Sequence, residues 1–513
     1  MNGFPTFYIK AMIKNPIFFI YLSFVLFFIY FIKDSLHITI FRFVTLFFHG
    51  YICSNLFLLI SAAWVISKQY ETFVFLERDV LKKQWKLLFS AFIISSVVAL
   101  LPMAAMIAFK NPLTDGSFLW KGLVHFFILW TLSNMLAATI GTTIGILLQH
   151  RASILLSLLL YGYFLWKSIN TTITYQQKLL NIFDDHMQVM TNTMSGTIFN
   201  LNYFLDKLFL ILLMLFLLLI TYSVYRKKKT AYILLAVLVL LAMKGVVIYG
   251  EKHVQKIRAY PTAEFAHVPY AVQTYKMDLS LTNRLENTAE LEMSFSAAGD
   301  NIKLLLDDCF TIDSVKVNDS LVKFIHKNNV LNISASYRPN ETKKVVVSYG
   351  GDVQLEDELG VPIYYVTSDA VNLPGWLFAW YPTVPEPKPS YYDVRLDAST
   401  KIYSNLGIFT GETERKGETS SLSLFAGQYQ TLKDNGLTYI LPINYNLEDF
   451  QSRLDLLIQE KTKEKHRTLT TSDIQFLQDR AYKTVIVGSW PNGLDDEGLR
   501  LVGDTLIVND SNY

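Results

Sequence analysis

The chain has 513 residues, 51% of them hydrophobic, and a mean hydropathy of +0.27. That is too apolar for a soluble enzyme of this size. Its formal net charge of +2 is a cancellation: residues 1–250 carry 20 Lys+Arg against 8 Asp+Glu, whereas residues 251–513 carry 26 against 36. Charge asymmetry of this kind places two halves in different environments. It excludes a single soluble enzyme; two cysteines exclude a disulfide scaffold, and neither half is basic enough for a nucleic-acid binder.

Seven stretches approach the roughly 20 apolar residues that a spanning helix needs: 16–32, 43–66, 87–109, 119–148, 152–168, 203–224 and 231–249. The first is read as a retained helix, because the run from Ile17 to Ile32 is long for a secretory signal and no small-residue cleavage site follows. Orientation follows from Lys and Arg in the short loops. With the N-terminus inside, the inner stretches hold Lys10, Lys14, Lys68, Arg78, Lys82, Lys83, Lys86, Arg151, Arg226, Lys227, Lys228 and Lys229. The outer stretches hold only Lys33, Arg42, Lys110, Lys121, Lys167, Lys178 and Lys207. An odd number of spans then puts residues 250–513 outside. Lys244 sits near the outer end of the seventh stretch and reads as a snorkelling side chain.

The inner loop 67–86 is highly charged, yet Phe73, Leu76, Val80 and Leu81 recur at helical spacing. The spacing predicts a short amphipathic helix at the inner surface. It serves either as a lipid-facing interfacial helix or as a docking helix for a cytoplasmic partner, with Glu71, Phe73, Leu76, Glu77, Arg78 and Lys82 as the docking residues. This layout over about 1–230 resembles the permease subunit of a type-2 ABC exporter. The resemblance implies six core spans, a charged helix after the second span that contacts the ATPase, a separate ATPase chain, and a second permease copy or related permease. The seventh span is then an added tether. No phosphate-binding loop of the form G-x-x-x-x-G-K-[ST] occurs. In the outer loop 169–202, His186, Met190 and Met194 share a helical face; a Met stripe is read as packing rather than as a copper site.

From Tyr275 the pattern changes to short alternating strands about ten residues apart, the signature of a β-sandwich. Tyr275–Leu281, Glu290–Phe295, Ile302–Leu306, Ile312–Asn318 and Lys343–Tyr349 all read this way, and a second set starts at Tyr391. Three passages carry a further likeness: Thr311-Ile312-Asp313-Ser314-Val315-Lys316-Val317-Asn318; Trp380-Tyr381-Pro382-Thr383-Val384-Pro385-Glu386-Pro387-Lys388 before Tyr392–Leu396; and Ser404-Asn405-Leu406-Gly407 with Phe425-Ala426-Gly427-Gln428-Tyr429. In this order they resemble the N-terminal β domain of the aminopeptidase N family of zinc peptidases, over about 270–510. That family binds zinc through H-E-x-x-H, two imidazoles one helical turn apart with a glutamate that activates water. None of the nine His starts that motif, and the chain stops at Tyr513 where the helix would be due. The family's Gly-x-Met-Glu-Asn loop has no clear counterpart: Gly493-Leu494-Asp495-Asp496-Glu497 lacks the Met and the Asn and reads as a solvated acidic turn. A domain resembling this family without its catalytic half is therefore expected, with no enzyme activity, no cofactor and no metal.

Asp307 and Asp308 beside Cys309 read as a strand end, because a metal site needs three or four ligands. Cys53 within a span and Cys309 outside cannot pair, and low cysteine use outside suggests a bacterial plasma membrane; sequons at Asn318, Asn332 and Asn340 matter only in a eukaryote. Trp376, Phe378, Trp380 and Tyr381 lie among five prolines. They form either an outer ligand surface or an aromatic corner closing the sandwich, and burial favours the corner. Between Asn446 and Asp479 the pattern is helical, with Leu447, Phe450, Leu454 and Leu457 on one face and a basic loop at 461–467.

The sequence thus predicts a polytopic α-helical membrane domain (1–249), a linker (250–272), a mainly β extracytoplasmic domain (273–440) and a small α/β segment (441–513). The leading functional reading is a multi-pass permease subunit of an ATP-driven exporter that exports, or gives immunity to, a peptide, bacteriocin or other amphipathic molecule. The alternatives are the membrane-anchored, non-catalytic half of a split zinc aminopeptidase and a membrane ligand sensor.

Overall fold

The computed structural model describes residues 4–76, 80–148, 150, 152–169, 192–225, 229–253, 255–257, 260, 268–356, 362–385, 388–463, 475–477, 479–490 and 498–510. The chain divides into two compact units, Met1–Val254 and Gln255–Tyr513.

The first unit is helical: α1 (Phe4–Ile13), α2 (Pro16–Ile32), α3 (Ser35–Ile38), α4 (Ile40–Leu46), α5 (Phe48–Leu76), α6 (Val80–Phe109), α7 (Gly116–Leu148), α8 (Ala152–Ile169), α9 (Asn192–Ser195), α10 (Leu201–Tyr225) and α11 (Lys229–His253). Local chemistry sets the starts. Asn15 accepts a hydrogen bond from the Ile17 amide at 3.1 Å and Pro16 opens α2, and Thr39 accepts from the Arg42 amide at 3.0 Å to open α4. Helices α5, α6, α7, α10 and α11 each contain a stretch long and apolar enough to cross a membrane. Residues Phe7–Ile13 and Pro16–Ile32 pass the same test as a pair bent by 68°, and α8 is a shorter apolar helix.

Helix α7 forms the spine of this unit. Ala137, Gly141 and Gly145 lie one turn apart on the stripe that meets α5, and a Cβ at Gly141 would stand 2.5 Å from the Leu59 carbonyl oxygen. Small residues at this spacing let two helix backbones touch, which is how apolar helices associate without water to drive them. Around this contact Leu59, Ala62, Trp130, Leu136 and Ile140 form a buried core.

Two sequence expectations are corrected here. The stretch 43–66 is not one helix: α4 ends at Leu46 and α5 starts at Phe48, with Phe47 between them at a non-helical ψ of 5°; its ring lies over Gly50, where a Cβ would stand 2.4 Å from it. Among the described residues of 67–86 there is no separate surface helix. Helix α5 continues to Leu76 and α6 begins at Val80, since 67–76 contains no Gly or Pro to stop it. At 1.5 Å per residue the 29 residues of α5 run about 44 Å, longer than the roughly 30 Å hydrocarbon core of a bilayer.

The second unit is mostly β. Its strands are β1 (Gln255–Lys256), β2 (Tyr270–Leu281), β3 (Leu285–Phe295), β4 (Gly299–Leu305), β5 (Thr311–Val317), β6 (Ser320–Leu321), β7 (Phe324–Lys327), β8 (Val330–Tyr337) and β9 (Thr342–Gly351). They continue with β10 (Gln354–Glu356), β11 (Pro362–Val366), β12 (Val371–Leu373), β13 (Ser390–Ala398), β14 (Ile402–Ser404), β15 (Gly407–Phe409), β16 (Thr413–Thr419) and β17 (Leu424–Ala426). One sheet has the order β16-β13-β2-β3-β9-β5-β6, a second β1-β10-β11-β12-β17-β14-β15, and a third β4-β8-β7. Strict alternation in β3 and β13 sends Leu285, Asn287, Ala289, Leu291 and Met293, and Tyr392, Val394 and Leu396, into one core with Ile302, Leu331, Leu373 and Leu424. Tight hairpins follow from residues that tolerate positive φ: Asn318 and Asp319 (49° and 65°) join β5 to β6.

The remaining sheet, β18-β19-β20-β22-β21, comprises β18 (Tyr429–Asp434), β19 (Leu437–Pro442), β20 (Thr484–Gly488), β21 (Leu499–Val502) and β22 (Thr505–Asn509). Helix α12 (Leu447–Lys463) lies between the parallel strands β19 and β20 in sequence. Its face of Phe450, Leu454 and Ile458 packs with Val485, Val487 and Leu506. The α/β part therefore begins at Tyr429 rather than 441, and the expected linker at 250 instead contains the end of α11 and the strand β1.

Candidate functional site

The helical unit buries an unusual set of polar side chains. On α8 the three buried residues whose exposure is described are Ser153, Ser157 and Tyr161, spaced i, i+4, i+8 on one face. The opposite face carries Leu155 and Leu159, each 63% exposed. The helix is inside-out relative to one in a soluble protein: its hydroxyls face protein and its leucines face outward. Opposite this stripe, Asn55 of α5 donates from Nδ2 to the Tyr161 Oη at 2.9 Å. One residue earlier, Ser54 shares a hydrogen bond of 3.0 Å with Tyr21 of α2. Ser61, also buried, lies almost two turns further along α5.

The polar set extends along α7. Asn134 donates to Ser95 Oγ at 2.9 Å, Trp130 donates to the Ser95 carbonyl at 2.9 Å, and Thr143 meets Thr221 at 3.4 Å. His125 Nδ1 lies 3.0 Å from the Tyr203 Oη. Several groups remain unsatisfied. The Oδ1 atoms of Asn55 and Asn134, the hydroxyls of Ser61, Ser153 and Ser157, and both amide atoms of Gln84 are buried with no hydrogen-bond partner. An unmet buried polar group costs roughly 1–3 kcal/mol, so a cluster of them marks a place built to meet water or a polar ligand. Asn55, Ser61, Asn134, Ser153, Ser157 and Tyr161 are all neutral hydrogen-bonding groups. They can solvate, but they include no nucleophile paired with a base.

The residues singled out by sequence are distributed differently. Glu71, Phe73 and Leu76 lie on the last turns of α5, and Lys82 lies exposed in the first turn of α6. Glu77 and Arg78 fall outside the described residues, as do His186, Met190 and Glu497. The proposed aromatic ligand surface is corrected: Phe378, Trp380 and Tyr381 are each 0% exposed, and only Trp376 is half-buried. Phe378 stacks on Tyr364 at 4.8 Å. Trp380 donates from Nε1 to the Leu422 carbonyl at 3.2 Å, and Tyr381 Oη accepts from the Leu422 amide at 3.0 Å. These aromatics close the sandwich, since burying their area outweighs any use as a platform.

Asp307 and Asp308 serve as turn residues. Asp307 accepts from the Cys309 amide and the Tyr260 hydroxyl, at 2.9 and 3.0 Å, while Asp308 exchanges two 2.9 Å hydrogen bonds with Asn329. Burial and then the Asp307 charge push the Cys309 thiol and the Tyr260 phenol up, so neither supplies an anion near neutral pH. Among the described residues no group of three or more His, Cys, Asp or Glu is placed to hold a metal. The polar seam was missed from sequence; the one signal for it was serine at 153 and 157 in a leucine-rich run.

No protein-family model matches the chain, and no curated protein matches it. Solved structures similar to it include an M1 zinc metallopeptidase from Deinococcus radiodurans, at 15% identity over 48% of this chain and 61% of that one, with a TM-score of 0.32. A mutant of the M1 enzyme from the same organism, bound to a Tyr-Ser-Ala substrate, gives 14%, 47%, 61% and 0.33. Yeast LTA4 hydrolase in complex with bestatin gives 10%, 47%, 40% and 0.31. The chain spans about three-fifths of the length of the M1 metallopeptidases it resembles.

Proposed function

We propose that the chain is the permease subunit of an ATP-driven exporter, and that the seam between α5 and α8 forms part of the path for its cargo. The observation that carries this reading is the set of unmet neutral polar groups buried in helices whose outer faces are leucine. Polar side chains inside spanning helices face a bundle interior or a water-filled path and mark substrate routes. A path of hydroxyls and amides suits an amphipathic molecule such as a peptide or bacteriocin.

In this reading seven helices cross a bacterial plasma membrane with the N-terminus inside, and residues 255–513 lie outside as a non-catalytic, peptidase-like domain. A separate ATPase docks on the inner ends of α5 and α6 around Glu71, Phe73, Leu76, Glu77, Arg78 and Lys82. A second permease copy or related permease completes the transporter. The lengths of α5 and α6 support docking there, because both outrun the hydrocarbon core.

The test uses the full chain with Cys53→Ser and Cys309→Ser, expressed with a candidate ABC ATPase from the same organism. Ser157→Cys is expected to react with a water-soluble maleimide during ATP turnover, while Leu159→Cys on the opposite face stays protected. Lys82→Glu with Glu71→Lys is expected to abolish ATPase co-purification. An unreactive Ser157→Cys in every nucleotide state overturns the path. Undiminished association of the charge-reversed chain overturns the docking site.

A further inference from the structure

The open face of the sheet β16-β13-β2-β3-β9-β5-β6 carries a feature that transport does not use. At one end of the sheet lies a cleft of about 560 Å³. Strand register gives its floor. Across β13, β2, β3 and β9, Asp397 pairs with Ser280, Ser280 with Glu286, and Glu286 with Gly350. The neighbouring row runs Arg395, Asp278, Thr288, Ser348. Both rows point away from the sandwich core, as the alternation in β3 and β13 requires. Three strand spacings of about 4.8 Å make each row roughly 14 Å long. On β5, Thr311 pairs with Gly350 and Ser314 with Ser348, and Asp313 stands at the irregularity between them, a fourth spacing along and so roughly 19 Å across the strands from Asp397.

Gly350 keeps this floor low. A Cβ there would stand 3.2 Å from Arg284 Nη2 and 3.3 Å from Glu286 Cγ, so a larger residue would press on both side chains.

The charges do not balance. Five carboxylates line the cleft against two arginines. Both arginines already have partners: Arg284 lies 3.5 Å from Glu286, and Arg395 pairs with Glu412. Among the described residues, Asp313 and Asp397 have no cation within ion-pair distance, and they stand at opposite ends of the floor. The hydroxyls of Ser280, Thr288 and Ser348 lie between them. A negative concavity of this kind concentrates cations.

We propose that this cleft binds an extended cationic peptide segment laid across the strands. Asp397 and Asp313 take two basic side chains, and the hydroxyls between them take backbone groups. At about 3.3 Å per extended residue the roughly 19 Å between Asp397 and Asp313 spans five to six residues, so basic residues four to six apart fit once their long side chains reach outward. An isolated divalent cation fits less well, because the two unpaired carboxylates stand too far apart to share one ion.

The proposal goes beyond the permease reading, and its test uses neither an ATPase nor transport, so either reading can fail alone. Full-length protein in detergent micelles is titrated into fluorescein-labelled pentalysine and followed by anisotropy. Binding is expected to weaken at least tenfold in Asp313→Asn/Asp397→Asn and to fall with added salt. It is expected to be unchanged in Asp449→Asn/Glu460→Gln, which removes two exposed acids of α12 and alters net charge equally. Labelled pentaglutamine is expected not to bind. All four substitutions are on exposed side chains, and an unshifted melting temperature shows that each variant is folded. Equal affinity of the cleft variant and the parent overturns the proposal, and so does an equal loss in both double variants, which would mean bulk charge alone.

Discussion

At the residue scale the second unit is held by buried aromatics, several of which place their polar tips on partners: Tyr349 donates to the Trp380 carbonyl, and Tyr381 shares a hydrogen bond with Tyr392. Trp380 is the strongest case: it is fully buried, its indole donates to Leu422, and its ring lies 4.7 Å from that of Tyr381. Trp380→Ala removes the ring and leaves a cavity, at a cost of about 3–5 kcal/mol. Thermal unfolding followed by near-UV circular dichroism should show a clear drop in midpoint, whereas Tyr391→Ala on the open face should not move it. The same aromatics make stability depend on alkaline pH. Burial pushes Tyr270 and Tyr482 up to about 12 from an ordinary 10.0, and drives Tyr275, Tyr349 and Tyr392 upward as well. The folded state therefore holds these protons more tightly than the unfolded chain. Their contribution is complete below pH 10 and is lost as pH rises from about 10 towards 12. Phenolate absorbance should lag and then rise in one step with loss of structure; a smooth titration of every tyrosine near pH 10 with the fold intact would contradict this.

At the element scale, packing of α7 against α5 depends on the absence of side chains. Gly141→Ala places a methyl 2.5 Å from the Leu59 carbonyl, which is backbone and cannot rotate away. Overpacking of this kind costs about 1–3 kcal/mol or more. Gly162→Ala on α8, with nothing within 4 Å of its Cβ, should be neutral or slightly stabilising. A detergent-solubilised melting comparison of the two variants checks the contact. Much at this scale was legible in sequence. Long apolar runs marked the helices, and alternation from Tyr275 marked the sandwich, because burial periodicity is written directly in residue order. The break at Phe47 was not legible, since it is a change of backbone angle at one residue inside an unbroken apolar run. Nor was the continuous run of α5 to Leu76, because a charged segment can be surface loop or helix and only the absence of a breaker separates them. The candidate sites were the least legible. The α5–α8 seam pairs residues 106 positions apart, Asn55 and Tyr161, and the open-face cleft draws on five strands whose register no local pattern encodes. The aromatic cluster misled for the opposite reason: its composition suits a binding platform or a core equally, and only burial decides.

At the scale of the whole molecule, the side of the membrane on which residues 255–513 lie depends on parity. Among the helices of the proposed seven crossings, α2 and α8 are the two shortest. With 17 residues α2 runs about 26 Å, and with 18 residues α8 runs about 27 Å. Both fall slightly short of a 30 Å core and need local thinning or snorkelling ends. Trp166 and Lys33 stand at such ends, where aromatic and basic side chains anchor to headgroups. The basic residues favour the same solution, with twelve in proposed inner stretches against seven in outer ones. Alkaline phosphatase, which folds to an active form only outside the cytoplasm, should be inactive when fused after His150 and active when fused after His253. A fluorescent protein should show the reverse pattern. Inactive phosphatase at both points would mean that one of the helices after His150 does not cross. The acidic unit and its cleft would then face the cytoplasm, and any cationic peptide bound there would come from the donor side of the transporter rather than from its exit.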